Sequence, residues 1–466
     1  MTYIETPSLI DTQDVHQEII SKPGDVVIDE LYITKNDENM NIKNFSPRFV
    51  LYEDMFNNFL SGELTITDAG ELVRILNFNG AEYLTISFRT PQSKTNIKKS
   101  FAIYALKDRF LSSTNREETY VLLFTSIENI TNNVTHISKK FSGRTDNLIK
   151  NVFETYLKIP RIVDGNKMSG VTSLVLPDTP HRTNTTFIST YWSPVRIMSW
   201  LASRSIGKEY KAPNMLFFET NKLFVFSSIE NLITTQLKQK EILTAYVYSP
   251  TGKMAFDTTK TTYGLPDIIR QYSLVKNIAP FTYFDVLQGQ HNGFYGNFLY
   301  THDILLKECR QFSYNHFEGY QDYYFMEDYK ASGDQITQSK EKNTRTFSGS
   351  TISSNRNIVH FKPKQYKMFP EQIDPQYQTW VPQRTSLLMQ MSNFKLHITV
   401  SGRSDLEVGR LIYFVYPQAH SGDDAEFKAD QKLTGIYMIT AIKHIVSPAG
   451  YDCILEITKD SFFEAL

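Results

Sequence analysis

Residues 49–68, FVLYEDMFNNFLSGELTITD, contain the pattern that most constrains the fold. Leu64 and Ile66 alternate with Thr65 and Thr67, a period of two that a strand with one wet face produces and a helix does not. Glu53, Asp54, Asn57 and Asn58 stand between the apolar runs and have the chemistry of a turn. The same alternation continues outward. Val27, Asp29, Leu31 and Ile33 interleave with Ile28, Glu30 and Tyr32, and Leu84, Ile86 and Phe88 with Thr85, Ser87 and Arg89. Short apolar runs at 101–106 and 120–125 follow, with turn-forming Asn, Ser, Pro and Gly between them, so the first ~130 residues are expected to form a small antiparallel sheet or barrel.

The last ~75 residues return to this pattern. Phe394, Leu396, Ile398 and Val400 oppose Lys395, His397 and Thr399, and Leu411 to Tyr416 is a more fully buried run. Tyr437, Ile439 and Ala441, and then Tyr451, Cys453, Leu455 and Ile457, alternate in the same way, which predicts a second small β-domain.

The period changes in the middle. Leu148, Ile149, Val152, Phe153, Tyr156 and Leu157 recur at helical spacing behind the capping candidates Thr145 and Asp146, and Pro160 closes the segment. A second helix is expected after Ser193-Pro194, with Val195, Ile197, Met198 and Leu201 as its buried stripe and Gly207 as its stop. Residues 214–229 predict a hairpin turning near Asn221, and 283–329 a strand-loop-strand unit punctuated by Gly289, Gly293 and Gly296. From Ala331 to Asn357 the only apolar residues are Ala331, Ile336, Phe347 and Ile352, too few to bury a core, so a loop or arm is expected. The chain stays irregular up to Arg384, with Pro370, Pro375 and Pro382.

Composition narrows the function. At roughly 150 residues per domain, 466 residues predict about three domains. Hydrophobic residues at 41% and charged residues at 21% are globular values. Lys plus Arg total 49 against 50 Asp plus Glu, so there is no global pull toward nucleic acid or an anionic membrane. The N-terminal residues do not read as a signal peptide, and no run approaches the ~20 apolar residues of a membrane span. Sequons such as Asn129-Ile130-Thr131 and Asn184-Thr185-Thr186 are expected by chance in an Asn- and Thr-rich chain. Cys309 and Cys453 lack the spacing of a zinc or redox pair and are not expected to carry chemistry.

Recognisable catalytic motifs are mostly absent from the sequence. The histidines include no HExxH, and His291, His302 and His316 near Asp303 and Glu308 lack recognised ligand spacing, so no metal and no cofactor is expected. Gly207-Lys208 and Gly252-Lys253 lack the upstream glycine of a phosphate loop, because Ala202 and Val247 stand there. There is no GxSxG elbow, and Asp322, Glu327 and Asp328 lie in aromatic, loop-like sequence. The 13% aromatic content could serve stacking, but without basic interleaving it is better explained by strand packing.

Three stretches in order carry a resemblance. The first is 49–68 with Gly80-Ala81-Glu82-Tyr83-Leu84-Thr85-Ile86-Ser87-Phe88. The second is Ser193-Pro194-Val195-Arg196-Ile197-Met198-Ser199-Trp200-Leu201-Ala202, followed by Phe217-Phe218-Glu219 and Phe224-Val225-Phe226. The third is Val408-Gly409-Arg410-Leu411-Ile412-Tyr413-Phe414, then residues 433–444. Together they resemble the baseplate hub protein of contractile-tailed bacteriophages, a family related to the N-terminal region of type VI secretion spike proteins. The correspondence runs from about Val26 to Lys459, with no counterpart for 331–384.

The resemblance implies a mainly β fold with α+β parts: two small antiparallel tube-type β-barrel domains joined by a helix-containing domain. The expected division is 1–131 for the first barrel, 132–261 for the connecting domain, 262–330 with 385–466 for the second barrel, and 331–384 for a polar insertion or arm. It further implies a non-enzymatic virion protein of the tail baseplate, assembled in the host cytoplasm. Three copies would form a ring that adapts a three-fold central spike to a six-fold tail tube and leaves a channel for DNA in transit. Expected partners are itself as a homotrimer, the tube and central spike proteins, and baseplate wedge and tape measure proteins. The hairpin residues Glu53, Asp54, Phe56 and Asn57 are the expected interface. A tail-associated cell-wall hydrolase or glycan-binding module is the alternative. A full secretion spike is the weaker one, since no repetitive needle follows and a separate spike polypeptide is then required.

Overall fold

The alternation at 61–68 becomes a strand whose Gly62, Leu64, Ile66 and Asp68 turn inward while Thr65 and Thr67 turn out. In the computed structural model, residues 22–461 are described apart from 46, 92, 94, 113–116, 158–161, 164–165, 168–173, 177–183, 208, 240–243, 250–270, 283–284, 320–321, 327–357, 365–375, 419–428 and 431. The polar stretch expected to form a loop or arm therefore lies outside the described residues, as do the N-terminal residues, Pro160 and the Gly252-Lys253 pair.

The first part comprises β1 (Val27–Lys35), β2 (Glu38–Asn41), β3 (Arg48–Asp54), β4 (Ser61–Asp68), α1 (Leu72–Leu76), β5 (Tyr83–Arg89), β6 (Asn96–Leu111) and β7 (Glu118–Ser126). A mixed middle follows with α2 (Ile127–Val134), β8 (Ile137–Arg144), α3 (Thr145–Val152), β9 (Asn184–Trp192), α4 (Pro194–Arg204), β10 (Met215–Glu219), β11 (Phe224–Ser228) and α5 (Ile229–Gln239). The rest holds β12 (Ala245–Tyr248), β13 (Leu274–Ile278), α6 (Val286–His291), β14 (Gly296–Asp303), β15 (Glu308–Asn315), β16 (Val359–Pro363), α7 (Val381–Asn393), β17 (Lys395–Ser401), β18 (Leu411–Val415), β19 (Gly435–Ser447) and β20 (Gly450–Thr458).

One 13-stranded sheet unites the two ends of the chain in the order β2-β1-β5-β6-β7-β4-β3-β19-β18-β12-β13-β17-β20, and a further β19–β20 pairing closes the last six into a barrel. The first six-strand set does not close on itself among the described residues, because the outer edge of β3 is taken by β19 over Phe49–Asp54. The fold is mainly β, with a closed six-stranded barrel and a few helices. Its largest core runs across the β3–β19 seam, where Phe88 meets Phe49 edge-on at 5.2 Å and Tyr451 at 5.5 Å.

The two sets repeat one topology. Numbered in chain order, β1, β3, β4, β5, β6 and β7 lie second-third-sixth-fifth-fourth-first across the sheet, and so do β12, β13, β17, β18, β19 and β20. All neighbours from the second to the fourth are antiparallel in both sets. The first strand differs, antiparallel to its neighbour in β1–β5 and parallel in β12–β18. Register also repeats. Leu64 faces Leu122 as Ile398 faces Leu455, and Ile103 faces Phe124 as Ile439 faces Ile457. The fifth strand then bulges at one residue, Tyr104 or Thr440, before Ala105 and Ala441 resume the pairing. Ile103-Tyr104-Ala105-Leu106-Lys107 thus superposes in register on Ile439-Thr440-Ala441-Ile442-Lys443.

Expected elements of the middle mostly form, with differences at their ends. α3 starts at Thr145, and the helical turn continues as a wider π turn through Leu157. α4 starts at Pro194 but stops at Arg204, ahead of Gly207, where Ser205 Oγ bonds back to the Leu201 carbonyl. The β10–β11 hairpin pairs Met215 with Ser228 through Glu219 with Phe224. Two helices without a sequence expectation, α2 and α5, both begin within a Ser-Ile-Glu-Asn run, directly after its Ser, and at α5 the Ser228 hydroxyl accepts the Asn231 N–H at 3.1 Å as a cap. The region expected to remain irregular up to Arg384 instead starts α7 at Val381, with Pro382 in the first turn, where its missing N–H costs nothing. The strand-loop-strand expectation at 283–329 becomes the β14–β15 hairpin preceded by α6, whose start is capped by Asp285 accepting from Gln288 N at 2.8 Å.

Candidate functional site

The turn between β3 and β4 is built by its own acid. The Asp54 carboxylate accepts the Phe56 N–H at 2.8 Å, and the Asp54 carbonyl accepts from Asn57 N at 3.1 Å. Met55 is buried and donates its N–H to the carbonyl of Thr440, the bulged residue of β19, at 3.0 Å. Asn58 Nδ2 reaches the Phe217 carbonyl at 2.6 Å, and Leu60 N donates to Glu219 at 2.8 Å. Both ends of the turn are therefore fastened, one to the second barrel and one to the β10–β11 hairpin.

Beside the turn, at the seam, lies a cleft of about 300 Å³ lined by Glu53, Asp54 and Asn57 together with Tyr52, His397, Lys443 and Glu456. Of the four residues singled out in the sequence, three line this cleft. Phe56 is 41% exposed on the turn, with the Lys395 ammonium over its ring at 5.9 Å. Partial burial pushes the Asp54 carboxyl up, opposed by its bond from Phe56 N and reinforced by the nearby Glu456 carboxylate. Burial acts the same way on Glu456, but Thr440 Oγ1 at 2.7 Å and Lys395 at 2.9 Å outweigh it and hold that carboxyl below its usual range.

Glu53 faces inward. It is 1% exposed, and its Oε1 accepts from His444 Nε2 at 3.2 Å; Oε2 has no hydrogen-bond partner among the described residues. His444 Nδ1 stands 2.7 Å from the Tyr451 hydroxyl, which donates to the Arg403 carbonyl at 3.0 Å, and Cys453 Sγ lies 3.4 Å from the same nitrogen. Burial disfavours charge on His444, but Cys453 and Glu53 outweigh it and push the imidazole up to about 10. A doubly protonated ring donates from both nitrogens and satisfies this chain of acceptors. The pair ties β3 to β19, so Glu53 acts inside the chain, while Asp54, Phe56 and Asn57 remain on its surface. His444 had a readable signal: it occupies an inward position between Ile442 and Val446, where an apolar residue is the rule.

A second buried pair moors the middle region. Glu219 is fully buried, forms a short ion pair with Lys99 of β6, and accepts Ser126 Oγ at 2.6 Å. Burial opposes charge on Lys99, but the Glu219 carboxylate wins and raises it.

The remaining candidates do not converge. His316 is buried with Nδ1 2.9 Å from Ser386 Oγ, and its pKa is pushed down to about 3 by burial. His302 sits opposite Cys309 in the β14–β15 ladder, and Asp303 organises the turn after β14 by accepting from Leu305 N and Leu306 N. Among the described residues no group of three or more His, Cys, Asp or Glu is placed to hold a metal ion. Asp322 is exposed, and Glu327 and Asp328 lie outside the described residues.

No protein-family model matches the chain, and no curated protein does. Solved structures similar to it include phage tail proteins and a component of the type VI secretion system. One is a tail protein from Neisseria meningitidis MC58, 9% identical, with 92% of this chain and 96% of that one covered and a TM-score of 0.48. Another is a tail protein of prophage MuSo2 from Shewanella oneidensis, 8% identical over 92% and 98% of the two chains, with a TM-score of 0.49. A third is an E. coli component of the type VI secretion system, 8% identical over 95% of this chain and 79% of that one, at 0.39. At these identities and scores the likeness assigns no activity or partner to this chain.

Proposed function

We propose that the chain is a structural, non-enzymatic component of a phage-type tail baseplate: a hub whose three copies form a ring between a three-fold central spike and a six-fold tail tube. The observation that carries this is the internal repeat, two six-strand sets of one strand order joined edge to edge by β3 and β19. Three chains with two like units each present six like positions around one axis, which reconciles the two symmetries without a second protein. Repetition of a head-to-tail contact closes into a ring when its rotation divides the circle. The surrounded opening would pass DNA. Asp54, Phe56 and Asn57 are the surface proposed to meet the tube or the spike, with wedge and tape measure proteins as further partners. The setting is the virion, assembled in the host cytoplasm.

Light scattering on the purified chain, followed by negative-stain microscopy of the same sample, tests the reading. Three copies in a ring with a central hole are expected, with no activity on isolated cell wall. A compact single-chain particle at every concentration, or wall hydrolysis abolished by neutralising one carboxylate, would overturn it in favour of a tail-associated hydrolase.

A further inference from the structure

The repeat leaves one edge unmatched. In the second set, β19 outlasts its neighbour β18, which pairs only with Gly435 to Met438, and the overhang Ala441–Val446 is covered on that side by β3. In the first set, β6 outlasts β5 in the same way, since β5 pairs only through Ala102. Its overhang from Tyr104 to Leu111 is paired to β7 on one side, and among the described residues no strand covers the other.

The exposures record the difference. β6 bulges a second time between Lys107 and Phe110, where β19 does not, so Leu111, facing Glu118, matches Val446, facing Tyr451. Thr440 and Val446 are fully buried, whereas their register counterparts Tyr104 and Leu111 are 51% and 53% exposed, and Phe110 is 60% exposed. An uncovered strand edge with large apolar side chains is a pairing site, and soluble proteins rarely leave one open.

We infer that the free edge of β6 is covered by a second copy of this chain, through the strand of its second set that corresponds to β3. This rests on the ring reading above. The corresponding strand is β13 with its continuation: Val50 faces Glu63, the counterpart of His397, and Ala279 N donates to the His397 carbonyl at 3.0 Å. Ala279 therefore stands where Val50 stands, and Ile278 where Phe49 stands. Transferring the β3–β19 register, in which Val50 faces Ile445 and Phe49 faces Val446, places Ala279 of one copy opposite Phe110 of the next and Ile278 opposite Leu111. Pro280 corresponds to Leu51 and has no N–H, so the ladder between copies is one donor shorter than the one within the chain. Each copy offers one free β6 edge and one β13 segment, so the contact runs head to tail.

The test uses the full chain with Cys309→Ser, carrying either Phe110→Cys with Ala279→Cys or Leu111→Cys with Ile278→Cys. Directly opposed residues bring their Cβ atoms within disulfide range. Oxidation is expected to give a ladder of covalent species ending at three copies, and each single-cysteine chain should stay uncrosslinked. In parallel, Phe110→Lys with Leu111→Lys is expected to reduce the assembled mass to that of one chain while far-UV circular dichroism still reads a folded chain, since both side chains are exposed on the single copy. If the unmodified chain assembles but neither cysteine pair crosslinks and the lysine variant assembles equally well, this contact is wrong while the ring stands. If the unmodified chain never assembles, the ring and the contact fall together.

Discussion

Replacing Glu53 by Gln removes one charge from a pair whose side chains are both fully buried, at 3.2 Å, while keeping the size and one acceptor of the original. Breaking such a pair from one side leaves the other charge without a counterion, at a cost of about 3–5 kcal/mol. The pH dependence gives a second measure. His444 is pushed up to about 10 from an ordinary 6.5, a shift worth on the order of 5 kcal/mol. Because the folded value lies above the unfolded one, the contribution is complete below about pH 6.5 and is lost as pH rises toward 10. Urea unfolding followed by far-UV circular dichroism at intervals from pH 6 to pH 10 should show the natural chain losing stability across that window. Glu53→Gln should start lower at pH 6 and lose less, the remaining dependence coming from Cys453, which also raises His444. Parallel pH curves for the two proteins, or a cost below about 1 kcal/mol at pH 6, would refute the claim that this pair is charged and holds the seam.

Three further outcomes are expected. Gly62→Ala would bring a Cβ within 2.2 Å of the Phe124 ring and 2.4 Å of the Val50 carbonyl, so a loss of at least the ~1–3 kcal/mol of an overpacked core should appear in denaturant unfolding, and an unchanged midpoint would contradict the packing of β3, β4 and β7. Lys99→Met alone strands the buried Glu219 charge and should speed proteolysis near the β10–β11 hairpin, whereas Lys99→Met with Glu219→Gln, which keeps an acceptor for Leu60 N and Ser126 Oγ, should recover much of the loss; equal losses in both would argue against the ion pair as the mooring. Phe56→Ala and Asn57→Ala, on the exposed turn, should change fold stability by no more than about 0.5 kcal/mol yet weaken capture of the tube or spike protein in a pull-down, and unaltered capture by both would remove the turn from the proposed interface.

Alternation at 61–68, 395–401 and 450–458 was enough to place strands, and the helical spacing at 145–157 and the Ser-Pro start at 193–194 were enough to place helices, because these patterns depend on neighbours a few residues away. Of the site, the turn chemistry of Asp54 and Asn57 was legible for the same reason. The inward direction of Glu53 was not, since it depends on His444, 391 positions along the chain. The starts of α2 and α5 were written in Ser-Ile-Glu-Asn runs but hidden by their place directly after β7 and β11.

From the sequence alone came a mainly β chain with a mixed middle and the position of the turn proposed as a contact surface. The sequence could not say whether the two β regions share a fold, because the inward faces of any two sheets need only be apolar, and Ile103–Lys107 and Ile439–Lys443 become recognisable as counterparts only when register aligns them. Strand order, the closure of one set, the pairing of β3 with β19 rather than with β1, and the uncovered edge of β6 were decided by tertiary structure alone. Period-two alternation specifies which face of a strand is buried, whereas the partner at its edge is chosen by backbone hydrogen bonds that every residue except proline offers alike.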